Sequence, residues 1–156
     1  MGIVANFDID KIFGEIESKV APVIEQAIAD AFELAMLDCV KAAKSTNTYK
    51  DQTNHLRSSI GYQLYNRGQL VSENFSKAGT GTEGDASASG MQKGREAAQE
   101  AAKLWPQDII GVVVAGADYA LYVESRGYDV ITGSSQQLKT ILQERMREVF
   151  EGLNED

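Results

Sequence analysis

The chain has 156 residues, with 15 Lys and Arg against 23 Asp and Glu, so its formal net charge is −8. One His and one Cys exclude a two-His metal box, an internal disulfide and a cysteine-based zinc site. With 43% hydrophobic residues, the chain is expected to fold as a single domain, 1–156. No apolar run approaches the roughly 18–20 residues of a membrane-spanning helix, so we expect no membrane partner.

The first predicted element is a long helix over residues 8–44. Apolar residues recur there in steps of three and four, which places one apolar stripe along one face. Asp8 is the expected N-cap, and Pro22 either kinks the helix or begins a second one. At 1.5 Å per residue an unbroken helix would span about 55 Å, longer than a domain of this size needs. We therefore expect it to pack against something outside its own domain.

A β-hairpin is predicted next, after a polar loop and a short helical turn that Thr53 or Asn54 would cap. Two runs of apolar and aromatic residues within 60–72 flank the turn at Asn66–Gly68. Residues 76–90 hold only small and polar side chains and several glycines, which predicts a flexible loop. This loop contains no phosphate-binding glycine motif.

The second half of the chain mixes helices and strands. The sequence predicts an Ala-rich helix at 91–104 and then a β-branched strand at 108–115. A short helix at 118–126, another strand at 128–132 and a final helix from Ser134 or Ser135 follow. The predicted fold class is therefore α+β. It has a long N-terminal helix, a small, mostly antiparallel sheet of about four strands covered by helices on one side, and a C-terminal helix.

Residues suited to catalysis are few. His55 lies in a stretch rich in serine and threonine, but a lone loop histidine is more often a surface residue than a catalytic base. Tyr119 and Tyr122 have helical spacing, which favours half-buried packing groups over catalytic acids. Cys39 lies in an apolar helical stretch and is expected to be a small buried hydrophobe. We therefore predict a protein that is not an enzyme, with no catalytic residue, no cofactor and no metal site.

Charge is unevenly distributed along the chain. Residues 1–40 hold two basic and eight acidic residues, a net charge of −6, whereas residues 41–80 hold six basic and two acidic residues, a net charge of +4. Ordinary surface charge is one explanation; the other is assembly, in which the acidic helix of one subunit pairs with the basic hairpin of its neighbour. The basic residues lack the clustering and interleaved aromatics of a nucleic-acid site, so we expect no sequence-specific nucleic-acid binding.

Two segments carry a resemblance to a known family. The first is Thr53-Asn54-His55-Leu56-Arg57-Ser58-Ser59-Ile60, a polar cap and turn that lead into the hairpin. The second is Val112-Val113-Val114-Ala115-Gly116-Ala117-Asp118-Tyr119-Ala120-Leu121-Tyr122-Val123-Glu124, followed by Gly127. Placed between a long N-terminal helix and a C-terminal helix, these segments resemble the HK97 gp10-like family of tailed phages. The members of that family are small tail-completion or neck proteins.

The residues that match the family's motifs are Leu56, Arg57, Ser59, Ile60, Gly116, Tyr119, Ala120, Tyr122, Val123, Glu124 and Gly127. We interpret them as residues that make the fold, not as an active site. In this interpretation the glycine allows a tight turn, after which the aromatic residues dock onto the sheet. The glutamate and the final glycine then mark the end of the short helix.

The resemblance implies a virion structural protein at the head–tail junction or the tail end, assembled in the cytoplasm of the host bacterium. It also implies a homo-oligomeric ring, commonly a hexamer, that contacts other phage tail or neck proteins. Candidate interface residues are Ile12, Ile16, Lys50, Arg67, Gly79 and Gly84. The alternatives are a small cytoplasmic enzyme or ligand-binding domain, with a pocket around His55, Tyr119 and Tyr122, and a non-viral adaptor whose helix binds a partner helix.

Overall fold

The computed structural model describes residues 8–153, apart from the side chains of Ile9, Ile12 and Phe13. Its elements in chain order are α1 (Ile9–Ser45), α2 (His55–Ser58), β1 (Ile60–Asn66), β2 (Gln69–Phe75), α3 (Ser87–Ala102), β3 (Ile109–Ala115), α4 (Ala120–Ser125) and α5 (Thr132–Leu153). The fold is α+β, with a long N-terminal helix and a C-terminal helix, as the sequence predicted.

The sheet has three antiparallel strands in the order β2, β1, β3, one fewer than the sequence predicted. The segment at 128–132, predicted as a strand, has no strand partner in the described chain and leads into α5. Two interactions explain the difference. The Glu124 carboxylate accepts hydrogen bonds from the backbone N–H groups of Ile131 and Thr132, at 2.8 Å each. Val130 is 1% exposed and lies in the core, so this segment is held as an irregular connection.

The hairpin between β1 and β2 confirms the predicted turn. Asn66 pairs with Gln69, so the loop contains two residues, Arg67 and Gly68. Their φ angles are +49° and +79°. Positive φ at both central residues is the type I′ geometry that matches the twist of the flanking strands.

α1 is a single helix that continues through Pro22, so a second helix does not begin there. Its predicted N-cap is confirmed, because the Asp8 carboxylate accepts a hydrogen bond from the Lys11 backbone N–H at 3.1 Å. α5 runs antiparallel to α1. Its first turn places Ser134 beside Cys39, and its end places Leu153 beside Pro22.

Cys39 is fully buried, as predicted. Burial raises the pKa of its thiol, and the nearby Ser134 hydroxyl only partly offsets that increase. Its environment is therefore that of a small packing residue.

β1 is buried on both faces, because α1 covers one face and α3 the other. The α1 face is the main hydrophobic core, which comprises Met36, Val40, Ala43, Leu56, Ile60, Tyr62, Leu64, Ala117, Ala120 and Val130. On the other face Gly94 of α3 lies against the Phe75 ring. The sequence predicted helices on one side only. The glycine and alanines of α3 explain the second layer, since they permit a close approach to the sheet.

The glycine-rich segment between β2 and α3 forms neither helix nor strand over residues 76–86, and α3 begins at Ser87, within the range predicted as a loop. Backbone N–H groups of this segment donate to residues 52–58. Gly81 donates to the Asn54 side chain at 2.7 Å, and Glu83 donates to the Gln52 carbonyl at 3.0 Å. A Cβ at Gly81 would collide with backbone atoms of residues 51 and 52. The glycines therefore permit a close backbone approach, a role that the sequence analysis did not predict.

We expect Gly94→Ala to destabilise the fold. An added Cβ would lie 2.5 Å from the Ser59 carbonyl oxygen and also meet the Phe75 ring, so α3 would have to move away from the sheet. The expected loss is about 1–3 kcal/mol in the free energy of unfolding, measured by urea denaturation.

Gly14→Ala is the matched control, because a Cβ at this exposed position in α1 meets nothing within 4 Å. It should leave stability unchanged or raise it by up to about 1 kcal/mol. Equal stability of the two variants would contradict the close packing of α3.

Candidate functional site

The two motifs that carry the family resemblance meet at Ser59, which is fully buried. Its hydroxyl donates to the Leu56 carbonyl at 2.7 Å and accepts from the Ala117 N–H at 3.0 Å. Its own carbonyl accepts from the Gly116 N–H at 3.1 Å. The turn before β1 and the turn after β3 are therefore joined by one residue.

Gly116 is required by packing against α3. A Cβ there would lie 2.5 Å from the Gly94 Cα. Ala117 and Ala120, which follow, lie in the core, and Val123 packs against it. Small residues thus bring the turn after β3 into contact with both helix layers.

The prediction that Tyr119 and Tyr122 dock onto the sheet is wrong. Their exposed fractions are 42% and 59%. The Tyr119 ring stacks on His55 with ring centroids 5.8 Å apart, and the Tyr122 hydroxyl accepts from the Arg126 guanidinium at 2.7 Å. The small residues of α4 occupy the position in the core that the aromatics were predicted to fill, so the rings point outward.

Arg57 holds the loop that follows α1. Its guanidinium donates to the carbonyls of Lys44 at 2.6 Å and Tyr49 at 3.1 Å, and lies 4.6 Å from the centre of the Tyr49 ring. Its backbone N–H donates to the Asp51 carboxylate at 2.7 Å. Asn54 is the N-cap residue of α2, one of the two predicted, but its side chain makes no capping hydrogen bond, and the Asp51 carboxylate supplies that bond instead.

Glu124 caps α5 from outside that helix. Besides accepting from the Ile131 and Thr132 N–H groups, it accepts from the Thr132 hydroxyl at 2.6 Å. Burial raises the pKa of Glu124, but these hydrogen bonds outweigh that effect and leave it below its usual value. Gly127, with φ of +86°, ends α4 and donates its N–H to the Glu124 carbonyl at 2.9 Å.

A cleft of about 630 Å³ lies beside these motifs, between the loop after α1, α4 and the segment that leads to α5. It is lined by Asn47, Thr48, Tyr49, Lys50, Asp51, Arg57, Thr80, Gly81, Tyr122, Val123, Arg126 and Tyr128. Its volume falls within the range of ligand pockets, which is about 300–1,000 Å³.

Three cations line this cleft: Lys50, Arg57 and Arg126. None forms a salt bridge with a carboxylate among residues 8–153. Of the described lining residues only Asp51 is acidic, and its carboxylate already accepts the Arg57 N–H. The Tyr49 hydroxyl is buried without a hydrogen-bond partner, and burial raises its pKa to about 12. The cleft is therefore locally positive in an acidic protein.

The candidate interface residues occupy separate places. Ile16 is 50% exposed on α1, whereas the Ile12 side chain lies outside the described residues. Lys50 lines the cleft, and Arg67 pairs with Glu25 of its own chain at 2.8 Å. In the glycine-rich segment, a Cβ at Gly79 would meet the Asn54 side chain, while Gly84 lies in open space.

The sequence analysis missed Tyr49, Arg126 and Tyr128 as members of one surface. Residues from three separate parts of the chain form the cleft, and no local motif joins them. The available signal was weak: two of these parts, around residues 49–50 and 122–128, hold a tyrosine close to a basic residue. His55 does not line this cleft, although the sequence analysis placed it in a pocket with Tyr119 and Tyr122.

Within the described chain, no three His, Cys, Asp or Glu side chains are grouped in a way that could hold a metal ion. No helix over residues 8–153 combines the length and apolarity needed to span a bilayer.

No protein-family model, curated protein or solved structure matches this chain.

We expect Ser59→Ala to lower the free energy of unfolding by about 1–3 kcal/mol, because it leaves the buried Ala117 N–H without its acceptor. Thermal and urea denaturation would measure the loss. Ser89→Ala, at an exposed position of α3, is the control and should change stability by less than about 0.5 kcal/mol. A loss no larger than that of the control would contradict the bridging role of Ser59.

We expect Glu124→Gln to cost about 1 kcal/mol at neutral pH, since it removes the charge that caps α5. The folded-state pKa of Glu124 is lowered, so its contribution is present above the unfolded pKa of about 4.3 and is lost as pH falls through the folded value. The stability difference between wild type and variant should therefore shrink below about pH 4.

Urea denaturation between pH 3 and pH 7 would measure this dependence. Glu144→Gln is the control, because that residue is exposed in the middle of α5, away from the end that Glu124 caps. If both variants showed the same pH dependence as wild type, Glu124 would not be the cap of α5.

Proposed function

We propose that this chain is a structural subunit of a tailed phage or prophage virion, a tail-completion or head–tail joining protein that acts by assembling into a ring. The proposal starts from the resemblance of the two motifs to the HK97 gp10-like family. Their joining at Ser59 supports it, because residues matched on the family pattern are explained as parts of one turn-to-turn contact.

The observation that carries the proposal is the exposed apolar row on α1. Ile16, Val20, Val23 and Ile24 are 40–50% exposed, and every described side chain from residue 10 to residue 24 is exposed. These side chains follow the i, i+4, i+7, i+8 spacing of one helix face. A contiguous apolar surface of this kind marks an interaction site, so the row fits a subunit that buries it against a neighbour.

The motif residues fit an assembly role better than a catalytic one. Their polar groups are used internally: Ser59 joins two turns, Arg57 holds a loop and Glu124 caps a helix. Catalysis needs a nucleophile, base or acid that faces a substrate. The proposed activity is therefore ring closure and contact with neighbouring tail or neck proteins, with no chemical step.

The second candidate function is a small ligand-binding protein, favoured by the cleft between α4 and the loop after α1. The two candidate functions require different oligomeric states of the purified chain. A ligand-binding domain works as a monomer, whereas a ring subunit must self-associate.

Val20→Glu tests the assembly function. The wild-type chain should form oligomers in light scattering as its concentration rises, with rings visible by negative-stain microscopy. A charge in the apolar row should weaken association about tenfold or more, because burial of such a side chain is worth about 1.5–3 kcal/mol. Thermal denaturation should be unchanged, since Val20 is exposed.

Ser18→Glu is the matched control, since it adds the same charge two residues away on the opposite side of the helix. It should associate as wild type does. A wild-type chain that stays monomeric at every concentration, and also with a tail-tube protein, would overturn the proposed function. Genome neighbours encoding metabolic enzymes instead of capsid, portal and tail-tube proteins would argue against it as well.

A further inference from the structure

The basic hairpin is a poor partner for an acidic helix of another subunit. Arg67, the basic residue at its turn, already pairs with Glu25 of the same chain. Lys44 donates to Ser76, and Lys77 pairs with Asp85 at 2.6 Å. Three cations that form no salt bridge within residues 8–153 lie together elsewhere, at the cleft formed by the loop after α1 and α4.

The arginines of this cleft have N–H donors that the chain over residues 8–153 leaves unused. Arg57 uses two of its five N–H donors on carbonyl oxygens, and Arg126 donates only to the Tyr122 hydroxyl. The carboxylates nearby are engaged, because Glu124 and Asp129 both accept hydrogen bonds from the first turn of α5. An occupant that brings its own carboxylates would therefore find free donors here.

Exposed apolar and aromatic side chains surround the cleft. Tyr119, Leu121, Tyr122 and Tyr128 are between 42% and 78% exposed. Tyrosine and arginine are enriched at the energetic centres of protein interfaces. The surface therefore suits a protein segment with both carboxylates and aliphatic side chains.

One described segment of this chain has that composition. Over residues 8–25 it holds five acidic and two basic residues, a net charge of −3, and it carries the exposed apolar row. Glu17 lies beside that row, because Val20 is three residues and Ile24 seven residues further along the helix. We call residues 8–25 the acidic arm.

The acidic arm cannot reach the cleft of its own chain. The cleft includes Asn47–Asp51, just beyond the C-terminal end of α1. The middle of the arm lies about 28 residues earlier in the same helix, which at 1.5 Å per residue is about 40 Å away. The only copy of the arm that can enter the cleft belongs to another molecule.

We propose that the acidic arm of one subunit docks at the cationic cleft of the next, with Glu17 facing Arg126 and the aliphatic row lying against the exposed tyrosines. This contact rests on the proposed function, and it specifies which surfaces join the subunits. Two different patches of one chain form it, so it is heterologous and propagates head to tail. Such contacts give a ring when the rotation closes.

Charge reversal tests this contact. Arg126→Glu should weaken self-association about tenfold or more in sedimentation velocity, since like charges then face each other across the interface. Glu17→Lys should do the same. The chain that carries both substitutions should regain association, because this charge pair is restored with opposite sign.

The matched control is Arg147→Glu, which adds the same charge change at an exposed position of α5 outside the cleft. It should associate as wild type does, and circular dichroism should show that every variant folds.

The outcomes separate this contact from the proposed function. If wild type forms oligomers and Arg126→Glu associates equally well, the docking contact is wrong while ring assembly stands. If the double variant Glu17→Lys with Arg126→Glu fails to recover although it is folded, the pairing of arm and cleft is wrong. A wild-type chain that never associates overturns both. A labelled single-stranded oligonucleotide that binds wild type but not Arg126→Glu would assign the cleft to nucleic acid, and would overturn the docking of the arm.

Discussion

The hydrogen bonds of one buried serine determine how the layers of this protein fit together. Ser59 binds the turn after β3 through its hydroxyl and its carbonyl, and α3 lies against the same place through Gly94 and Gly116. Neither glycine can gain a side chain without displacing a backbone. This fixed junction sets where β1 begins and where α4 begins, and α4 in turn forms one wall of the cleft.

The distribution of surface features follows from this arrangement. The core takes small and aliphatic residues from α4, so its tyrosines face solvent beside unpaired cations. At the N-terminal end of α1, in the acidic arm, the chain exposes aliphatic residues among carboxylates. One surface offers cationic donors and aromatic rings and the other offers carboxylates and aliphatic side chains, and the length of α1 keeps them apart within one chain. The two surfaces can meet only between separate copies, which is the physical basis for proposing assembly as the function.

The local elements could be predicted from the sequence, and their contacts could not. Helical periodicity indicated α1 and α5, and β-branching indicated β3. Residues 128–132 also looked like a strand because Val130 and Ile131 are β-branched, but the Glu124 carboxylate accepts hydrogen bonds from the N–H groups of Ile131 and Thr132, a contact that no local pattern encodes. The glycines at 79–84 indicated flexibility, whereas Gly81 packs tightly against another loop. The cleft was missed because it joins residues from three segments that are far apart in sequence, at about 47–57, 80–81 and 122–128.

Pro22 has a consequence for how neighbouring subunits would be oriented. A proline within a helix removes the hydrogen bond to the carbonyl four residues earlier, here that of Ser18, and crowds it. The break in bonding falls where side chains change from exposed to buried, since packing begins near Ala27. The direction of the acidic arm is therefore set by one weakened helical turn and not by the core. If subunits dock head to tail as proposed, the angle of the helix at that turn would contribute to the angle between successive subunits, and so to how many of them close the circle.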